Sequence, residues 1–543
     1  MSRLSRVEKA ALLLLCIATV APLWVGRYPP LLDYPNHLSN LFIWRHLHDA
    51  KFRFDQYYTT NLLPLPYWTQ YTIEYPISFV VGVESAQKIF ISLSMLGLPF
   101  AVARYARSVG RDPRLALFAF PLAWNANTAN GFISYNAALV FLFLALALFE
   151  NYLRRPHWRL ALWIALCGGA LYFSHILGWA MFVVIAAVCA AASAITSRDP
   201  KKILLSVHGP LSVHPERSEA KSKGENKSSV PFDKLRASGA WRRGRQILHN
   251  LLPLVPVGAI AAMAAYFSHP ASAKLPVGGV SSFGGPLNDV LANLSMMPSW
   301  LVDFFPGSID EVCLILLMGI WLCILLLRRE PGTASLHLTL ASLVVLALYL
   351  CLPRSLVRPF YWFAVNRRIA VVVVLFLVLQ VRGSLSHLQR AALGVAAVIS
   401  LTYLSTVSLH FYRFNQRARD FETVLGNVPE DKAVMPLMMK KSDREVNVHA
   451  YNQWGAYIQL RQGGYVTPYF AVDFPLRLTV PERAAASWLD PTRFNFSKET
   501  ADWDYILVHR PYARDPFQGH RNQVKLVSAL GEWEMWEIVR AKQ

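Results

Sequence analysis

Long apolar stretches recur along most of this 543-residue chain, and short clusters of arginine separate them. Hydrophobic residues make up 54% of the sequence and charged residues only 16%, which is too apolar for an ordinary soluble protein. An apolar stretch of about 18 or more residues predicts a helix that crosses a lipid bilayer. The sequence therefore predicts an integral membrane protein with many helical spans.

The basic residues between these stretches predict the orientation of the chain in the membrane. Arginine clusters at 104–114, 154–159 and 328–329 mark cytoplasmic loops, because short loops rich in Lys and Arg stay on the cytoplasmic side. The formal net charge of +20 is therefore interpreted as topology. Membrane lipids are predicted partners, whereas nucleic acid is not.

About eleven spans are predicted, with the N-terminus in the cytoplasm and the C-terminus on the opposite side of a bacterial inner (cytoplasmic) membrane. They lie at about 10–25, 85–104, 115–124, 133–150, 159–174, 176–196, 247–267, 310–327, 336–352, 369–382 and 390–409. The region between the seventh and eighth spans, 268–308, is predicted to be an outer loop that contains His269, Lys274 and Asp303.

Two segments depart from the membrane pattern. Residues 197–245 lose apolar periodicity and resemble a repeat-derived insert that occurs in unrelated bacterial proteins, so they are predicted to form a disordered cytoplasmic loop. Residues 411–543 are predicted to form an extracytoplasmic α/β domain that follows the transmembrane domain, residues 1–410. Its strands are predicted at 434–439, 465–470, 505–508 and 535–539, and its helices near 415–426 and 481–489.

The first outer loop, residues 26–84, begins with the most informative pair of residues. Asp33 and His37 follow the first span directly, and ionisable groups at a membrane surface are a functional hypothesis. The structural alternative is that Asp33 only caps a helix. An amphipathic helix at 36–49 is predicted to lie in the interface, and Tyr67–Gly82 is predicted to be juxtamembrane. Within it, Glu74 is a second candidate acid.

Arginines near the tenth span form the second candidate site. Arg354, Arg358, Arg367 and Arg368 lie in a loop, about 353–368, that the topology places outside, against the usual preference. Arginine binds phosphate bidentately, so these side chains are predicted to hold a substrate phosphate. The alternative is that they contact lipid headgroups or acids of the C-terminal domain. His175, at the outer tip of a predicted hairpin, is a further candidate for substrate binding.

Together, these residues fit the transfer of a sugar from a lipid phosphate to an acceptor hydroxyl. A carboxylate takes the acceptor proton as general base, and arginines hold the leaving phosphate. The six cysteines fall in or beside apolar segments and indicate neither disulfides nor a thiolate metal site. No metal ligands are predicted, and any metal would have to be an oxygen-liganded divalent cation.

The order of these features resembles the GT-C superfamily of polyprenyl-phosphate-sugar glycosyltransferases. It consists of a basic N-terminus, a first span, an outer loop with Asp33 and His37, a Pro-Leu-Pro-Tyr-Trp segment at 64–68, and later spans that end in an external domain. The resemblance implies a GT-C-like fold, an undecaprenyl- or dolichyl-type phosphosugar donor, and Asp33 as the base of an inverting transfer. The acceptor on the outer face is a lipid, a glycan or a protein.

Two other classes of function stay open from the sequence. A transporter or lipid-glycan flippase is expected to bury ionisable groups at the middle of the membrane and to show repeated halves. These spans have few central charges and no internal repeat is recognised. A non-catalytic assembly partner that binds through its outer domain is the third alternative.

Overall fold

The computed structural model describes residues 5–196, 232–267, 286–327, 335–356, 362–467, 475–481, 483, 490–512 and 514–540. Within these ranges the chain is mostly helical. The helices are α1 (Arg6–Trp24), α2 (Tyr34–Arg45), α3 (Trp68–Val81), α4 (Val83–Ser108), α5 (Ala119–Leu122), α6 (Ala126–Ala129), α7 (Ile133–Arg154), α8 (Trp158–Ser174), α9 (Ile176–Thr196), α10 (Phe232–Leu251), α11 (Val255–Phe267), α12 (Pro286–Leu301), α13 (Ile309–Leu326), α14 (Leu336–Cys351), α15 (Val365–Val378), α16 (His387–Arg417), α17 (Arg419–Leu425), α18 (Ala456–Gln462) and α19 (Phe496–Glu499).

Seven helical stretches of the described chain are long and apolar enough to cross a membrane. They comprise α1, α4, α7, α9, α13, the α10–α11 region at Arg243–Ala264, and α16 with its continuation into α17. Helices α8 and α14 are apolar but shorter. The multi-span helical architecture is therefore present, whereas the predicted count of about eleven spans is not confirmed.

Local sequence explains how the longest of these helices begin. At α1 the side chain of Ser5 accepts the backbone N–H of Glu8, and the Glu8 carboxylate accepts the N–H of Ser5. Ser386 and Gln389 form the same reciprocal pair at the start of α16. Such a capping box satisfies backbone donors that the first helical turn leaves without partners.

Three predicted segments differ in the structure. Residues 113–122 form a 3₁₀-helix, Pro113–Phe118, followed by the single turn α5, and most of their side chains are buried in the protein. The predicted span at 115–124 is therefore wrong, because a short apolar run can equally serve a protein core. The predicted outer loop 268–308 contains the helix α12, and residues 232–245 of the predicted disordered insert lie in α10. The remainder of that insert, 197–231, lies outside the described residues.

The C-terminal region contains a five-stranded mixed sheet. Its strands are β4 (Ala433–Met438), β5 (Tyr465–Val466), β7 (Tyr505–His509), β8 (Val524–Leu530) and β9 (Trp533–Ile538). They lie in the order β5-β4-β7-β9-β8, with β4 parallel to β5 and β7, and β9 antiparallel to β7 and β8. The predicted strands at 434–439, 505–508 and 535–539 are present, whereas β8 was not predicted. Most of the helix predicted at 481–489 lies outside the described residues.

The loop after α1 is an integral part of this C-terminal assembly. Its strand β1 (Tyr58–Thr60) pairs with β6 (Leu476–Leu478) in an antiparallel ladder. Helix α2 packs against α18, and Ser39 donates to Gln459 over 2.6 Å. Residues Tyr34 to Ile43 are all buried, so the prediction that α2 lies in the membrane interface is wrong. The polar face of α2 is covered by protein rather than by lipid headgroups.

A network of charges joins the C-terminal region to the ends of two apolar helices. Arg27, just after α1, pairs with Glu84 of α4 (3.0 Å) and with Glu422 of α17 (2.6 Å). Arg461 of α18 approaches the same Glu84 carboxylate at 2.8 Å. A single exposed ion pair contributes little, but a shared network restrains several elements together. These contacts hold the segment between α1 and α2 against both parts of the chain.

Candidate functional site

Asp33 is the residue immediately before α2, at its N-cap position, and only 5% of its surface is exposed. The carboxylate makes no capping hydrogen bond with α2, and it accepts no hydrogen bond from any described residue. The capping interpretation is therefore wrong. The Asp33 side chain therefore does not hold the start of α2 through a hydrogen bond.

A turn of amide-bearing residues, 125–131, supports the backbone beside Asp33. The backbone N–H groups of Leu32 and Asp33 donate to the carbonyls of Ala129 (3.0 Å) and Asn130 (3.2 Å). Gly131 has a φ of +73°, and a Cβ at this position would lie 2.7 Å from the Asp33 nitrogen. Only glycine allows this close approach without moving the backbone. The turn thereby fixes the position of Asp33.

Burial changes the acidity of this carboxyl group. It raises the pKa of Asp33 to about 7, and the positive charge of Arg368 lies close enough to oppose part of that increase. Desolvation disfavours the charged form of a carboxyl group, whereas a nearby cation favours it. A carboxylate that binds protons near neutral pH is suited to accept one during a reaction.

Arg368 is the residue that connects Asp33 with the second candidate site. Its guanidinium lies 3.9 Å from the ring centroid of Phe132, which follows the amide-rich turn. Its backbone carbonyl accepts the hydroxyl of Tyr135 at 2.7 Å. Stacking on an aromatic face and a fixed backbone both limit the movement of the side chain. The structure therefore brings Asp33 and Arg368 together, as neighbours in one cluster.

His175 completes this cluster. It lies between α8 and α9 and is 98% buried, and its Nε2 atom is 2.5 Å from Nη1 of Arg368. Its Nδ1 atom accepts the backbone N–H of Leu177 at 3.1 Å. Burial lowers the pKa of His175 well below its usual value, and Arg368 lowers it further, so the ring is neutral.

The ring nitrogens of His175 face more N–H donors than a neutral imidazole can accept from. A neutral imidazole has one acceptor nitrogen, and here each ring nitrogen faces an N–H group. When Nδ1 accepts from Leu177, Nε2 carries a proton that points at the Arg368 guanidinium. An anion placed beside both groups would accept from both donors.

Arg367 and Arg368 lie in the first turn of α15 rather than in a loop, which corrects the predicted boundary near 369. The Nε atoms of both arginines are buried and have no hydrogen-bond partner among the described residues. Asn366 beside them donates to Asn293 of α12 at 2.6 Å, which ties the start of α15 to α12. Arg354 is exposed, and its carbonyl accepts the backbone N–H of Val365 at 2.9 Å.

Two arginine side chains thus present buried donors at the start of one helix. Arginine binds anions such as phosphate through paired donors. Arg358, the fourth predicted arginine, lies outside the described residues, as do His269 and Lys274 of the predicted outer loop.

The other two predicted residues are buried, His37 in α2 beside α3 and Glu74 in α3 itself. The Nδ1 atom of His37 is 3.0 Å from the hydroxyl of Tyr71, which also accepts from Asn40 at 3.2 Å. Burial lowers the pKa of His37 to about 4, so this ring is neutral as well. Glu74 is fully buried and accepts the side-chain amide of Gln70 at 3.2 Å. The roles of His37 and Glu74 in a reaction stay predictions.

Comparison with known proteins gives limited information about this chain. No family model and no curated protein matches it. Among solved structures, the chain is similar to the single-particle cryo-EM structure of the arabinofuranosyltransferase AftD from mycobacteria, with a TM-score of 0.39 and 13% sequence identity. The alignment covers 99% of this chain and 40% of the AftD chain, so this chain spans less than half the length of that protein.

Two strained backbone positions border the same cluster. Five non-glycine residues of the described chain have a positive φ, which side chains rarely adopt. Two of them border the cluster: Tyr67 at +79°, whose ring lies 5.4 Å from that of His175, and Ala364 at +56°, which precedes α15. Strained residues occur preferentially at functional sites, where the surrounding structure stabilises them.

The groups that support this site were not predicted from the sequence. They are Gly131, Phe132 and Tyr135, which follow a run of three asparagines at 125, 127 and 130. A buried amide cluster must find partners inside the protein, and that requirement was the available signal. Within the described part of the chain, no group of three or more His, Cys, Asp or Glu side chains is arranged to hold a metal ion.

Proposed function

We propose that this chain is a membrane glycosyltransferase that moves a sugar from a polyprenyl-phosphate donor to an acceptor on the outer face of the membrane. The observation that carries the proposal is the cluster of Asp33, Arg368 and His175. It combines a buried carboxylate of raised pKa with donor groups that lack an acceptor. A general base and an anion-binding site are the two groups that this reaction requires.

In the proposed reaction Asp33 is the general base. The acceptor hydroxyl oxygen attacks the anomeric carbon of the donor sugar, and its proton passes to the Asp33 carboxylate. The bond between the anomeric carbon and the phosphate oxygen breaks, and the polyprenyl phosphate leaves with the bonding electrons. Attack opposite the leaving group inverts the anomeric configuration. A base with a pKa near the working pH is the most effective in such a step.

Arg368, Arg367 and His175 are the proposed ligands of the donor phosphate. Negative charge grows on the bridging oxygen as the phosphate leaves, and fixed donors stabilise it without reorganising. The unpaired Nε atoms of both arginines and the donor-rich contact at His175 support this assignment. Arg354 and Arg358 are proposed to assist from the preceding segment, and His37 to hold the base or the phosphate. Glu74 is proposed to support substrate binding from α3.

The proposal includes an orientation of the chain. The N-terminus and the arginine clusters at 104–114 and 154–159 face the cytoplasm. Asp33 and the C-terminal α/β region then lie together on the outer side, in agreement with the pairing of β1 and β6. This orientation places the site where a flipped lipid-linked sugar and an external lipid, glycan or protein acceptor meet.

The transporter and the non-catalytic partner are tested by the same experiment. The full chain, purified in detergent, is incubated with polyprenyl-phosphate sugars extracted from bacterial membranes and with an outer-membrane glycan fraction. Release of free polyprenyl phosphate that depends on the protein supports transfer. Arg413, an exposed arginine of α16, provides the matched control for Arg368: Arg368→Lys should reduce the release and Arg413→Lys should not. Equal activity of both variants would place the phosphate site elsewhere.

A further inference from the structure

Tyr67 combines an unusual backbone conformation with a position beside the phosphate ligands. Its φ of +79° is unfavourable for a large side chain. Its hydroxyl lies 3.4 Å from Nε2 of His175, the atom that also faces Arg368, and the two rings meet edge to face at 5.4 Å. None of the proposed roles above uses this residue.

The segment before Tyr67 explains how the strained conformation is held. Tyr172 of α8 donates its hydroxyl to the carbonyl of Pro64 at 3.2 Å. Trp68, the first residue of α3, donates its indole N–H to the carbonyl of Leu63 at 2.8 Å. These two contacts fix the turn on both sides of Tyr67. Neighbouring contacts hold Tyr67 in a strained conformation that places its side chain beside His175, which indicates that the position of this side chain matters.

We propose that Tyr67 is a further ligand of the donor phosphate, beside Arg368, Arg367 and His175, and that its hydroxyl donates to a phosphate oxygen bound beside His175 and Arg368. This inference rests on the proposed function and adds a residue to it. The ligand class is a phosphate monoester or diester carried on a polyprenyl chain. A tyrosine hydroxyl donates a hydrogen bond without adding charge, so it strengthens the site after the guanidinium has attracted the anion.

Two substitutions of Tyr67 separate phosphate binding from packing. Tyr67→Phe removes the hydroxyl and keeps the ring against His175. Tyr67→Gly also removes the strain, because glycine adopts positive φ freely. Arg53→Gly is the control for strain relief away from the cluster, since Arg53 has a φ of +51° and its side chain pairs with Asp431 rather than with any residue of the site.

The test measures binding of undecaprenyl phosphate, with undecaprenol as the uncharged probe, together with the melting temperature of each variant. We expect Tyr67→Phe to weaken undecaprenyl phosphate about tenfold, the usual cost of one hydrogen bond to a charged group, with unchanged melting temperature and unchanged binding of undecaprenol. Tyr67→Gly, which loses the ring packing as well as the hydroxyl, should weaken it at least as much. Arg53→Gly should bind like the wild type.

The possible results distinguish this inference from the proposed function. If the wild type binds undecaprenyl phosphate and Arg368→Lys weakens it, but Tyr67→Phe stays within twofold, Tyr67 is not a phosphate ligand. The same conclusion follows if Tyr67→Phe weakens undecaprenol equally, because the contact would then be apolar. If the wild type fails to bind undecaprenyl phosphate at all, the proposed function itself is contradicted.

Discussion

The raised pKa of Asp33 predicts a pH dependence that few other assignments of this site would give. Burial raises that pKa to about 7, against an ordinary value of about 3.9. At pH 5 only about 1% of such a group is ionised, so kcat/KM should be about a hundredfold below its plateau above pH 8. The rate should fall tenfold per pH unit below the midpoint.

The raised pKa of Asp33 should also make the protein less stable as the pH rises, which is the opposite of what an ordinary salt-bridged aspartate does. Between about pH 4 and pH 7 the folded protein keeps the Asp33 proton while the unfolded chain releases it. The wild type should therefore lose stability relative to Asp33→Asn as the pH rises through this window, by up to on the order of 4 kcal/mol. Below pH 4 the two proteins should unfold at similar temperatures.

The assay measures initial rates of polyprenyl phosphate release between pH 5 and 9, with thermal unfolding in the same buffers. Arg368→Gln is the informative variant, because removing this charge takes away the influence that lowers the pKa of Asp33. The pH midpoint of its activity should shift to higher pH, and its maximal rate should fall. A wild-type rate that does not change from pH 5 to pH 9 would contradict the assignment of Asp33 as a buried general base.

Three further substitutions test the parts of the cluster. Arg368→Lys should lower kcat/KM about 10–100-fold, because the paired donors and the stacking are lost while the charge remains, and Arg413→Lys should have no effect. Gly131→Ala should reduce activity far more than Gly82→Ala. Both glycines have a positive φ, but only at Gly131 would the added Cβ press on the backbone of Asp33, because Gly82 faces open space. Equal losses of activity would mean that only the backbone strain matters. His175→Gln, which keeps a donor and an acceptor, should retain more donor affinity than His175→Leu in a binding titration, and the reverse order would contradict a polar role.

The positions of most long helices could be predicted from apolar length, whereas the starts of α1 and α16 could not, because these two helices begin at capping boxes that precede the predicted apolar runs. The hairpin predicted at 159–174 and 176–196 is present as α8 and α9 within one residue. The run at 115–124 shows the limit of this signal, because it is as apolar as a span but is covered by protein instead of lipid. Helix α2 was misplaced for the same reason, since its covering helix α18 is encoded about 420 residues later.

The individual residues of the site could be recognised by type, but not their arrangement. Arginines against the expected topology and an aspartate after the first span were visible in the sequence. The contact between His175 and Arg368 joins residues 193 positions apart, and no local pattern encodes it. The Pro-Leu-Pro-Tyr-Trp segment at 64–68 was noted in the sequence, but Tyr67 itself was not predicted, because the strain that distinguishes it is a property of the folded backbone.

The most direct test of the central claim is the transfer activity of purified Asp33→Asn, measured beside its thermal stability. Asparagine has nearly the same shape and cannot act as a base at this position. Since Asp33 makes no hydrogen bond that asparagine would lose, we expect a folded variant at least as stable as the wild type at pH 7.5. Its turnover should fall by at least roughly 100-fold, as expected for the removal of a general base. Near-normal turnover in this folded variant would contradict the assignment of Asp33 as the base.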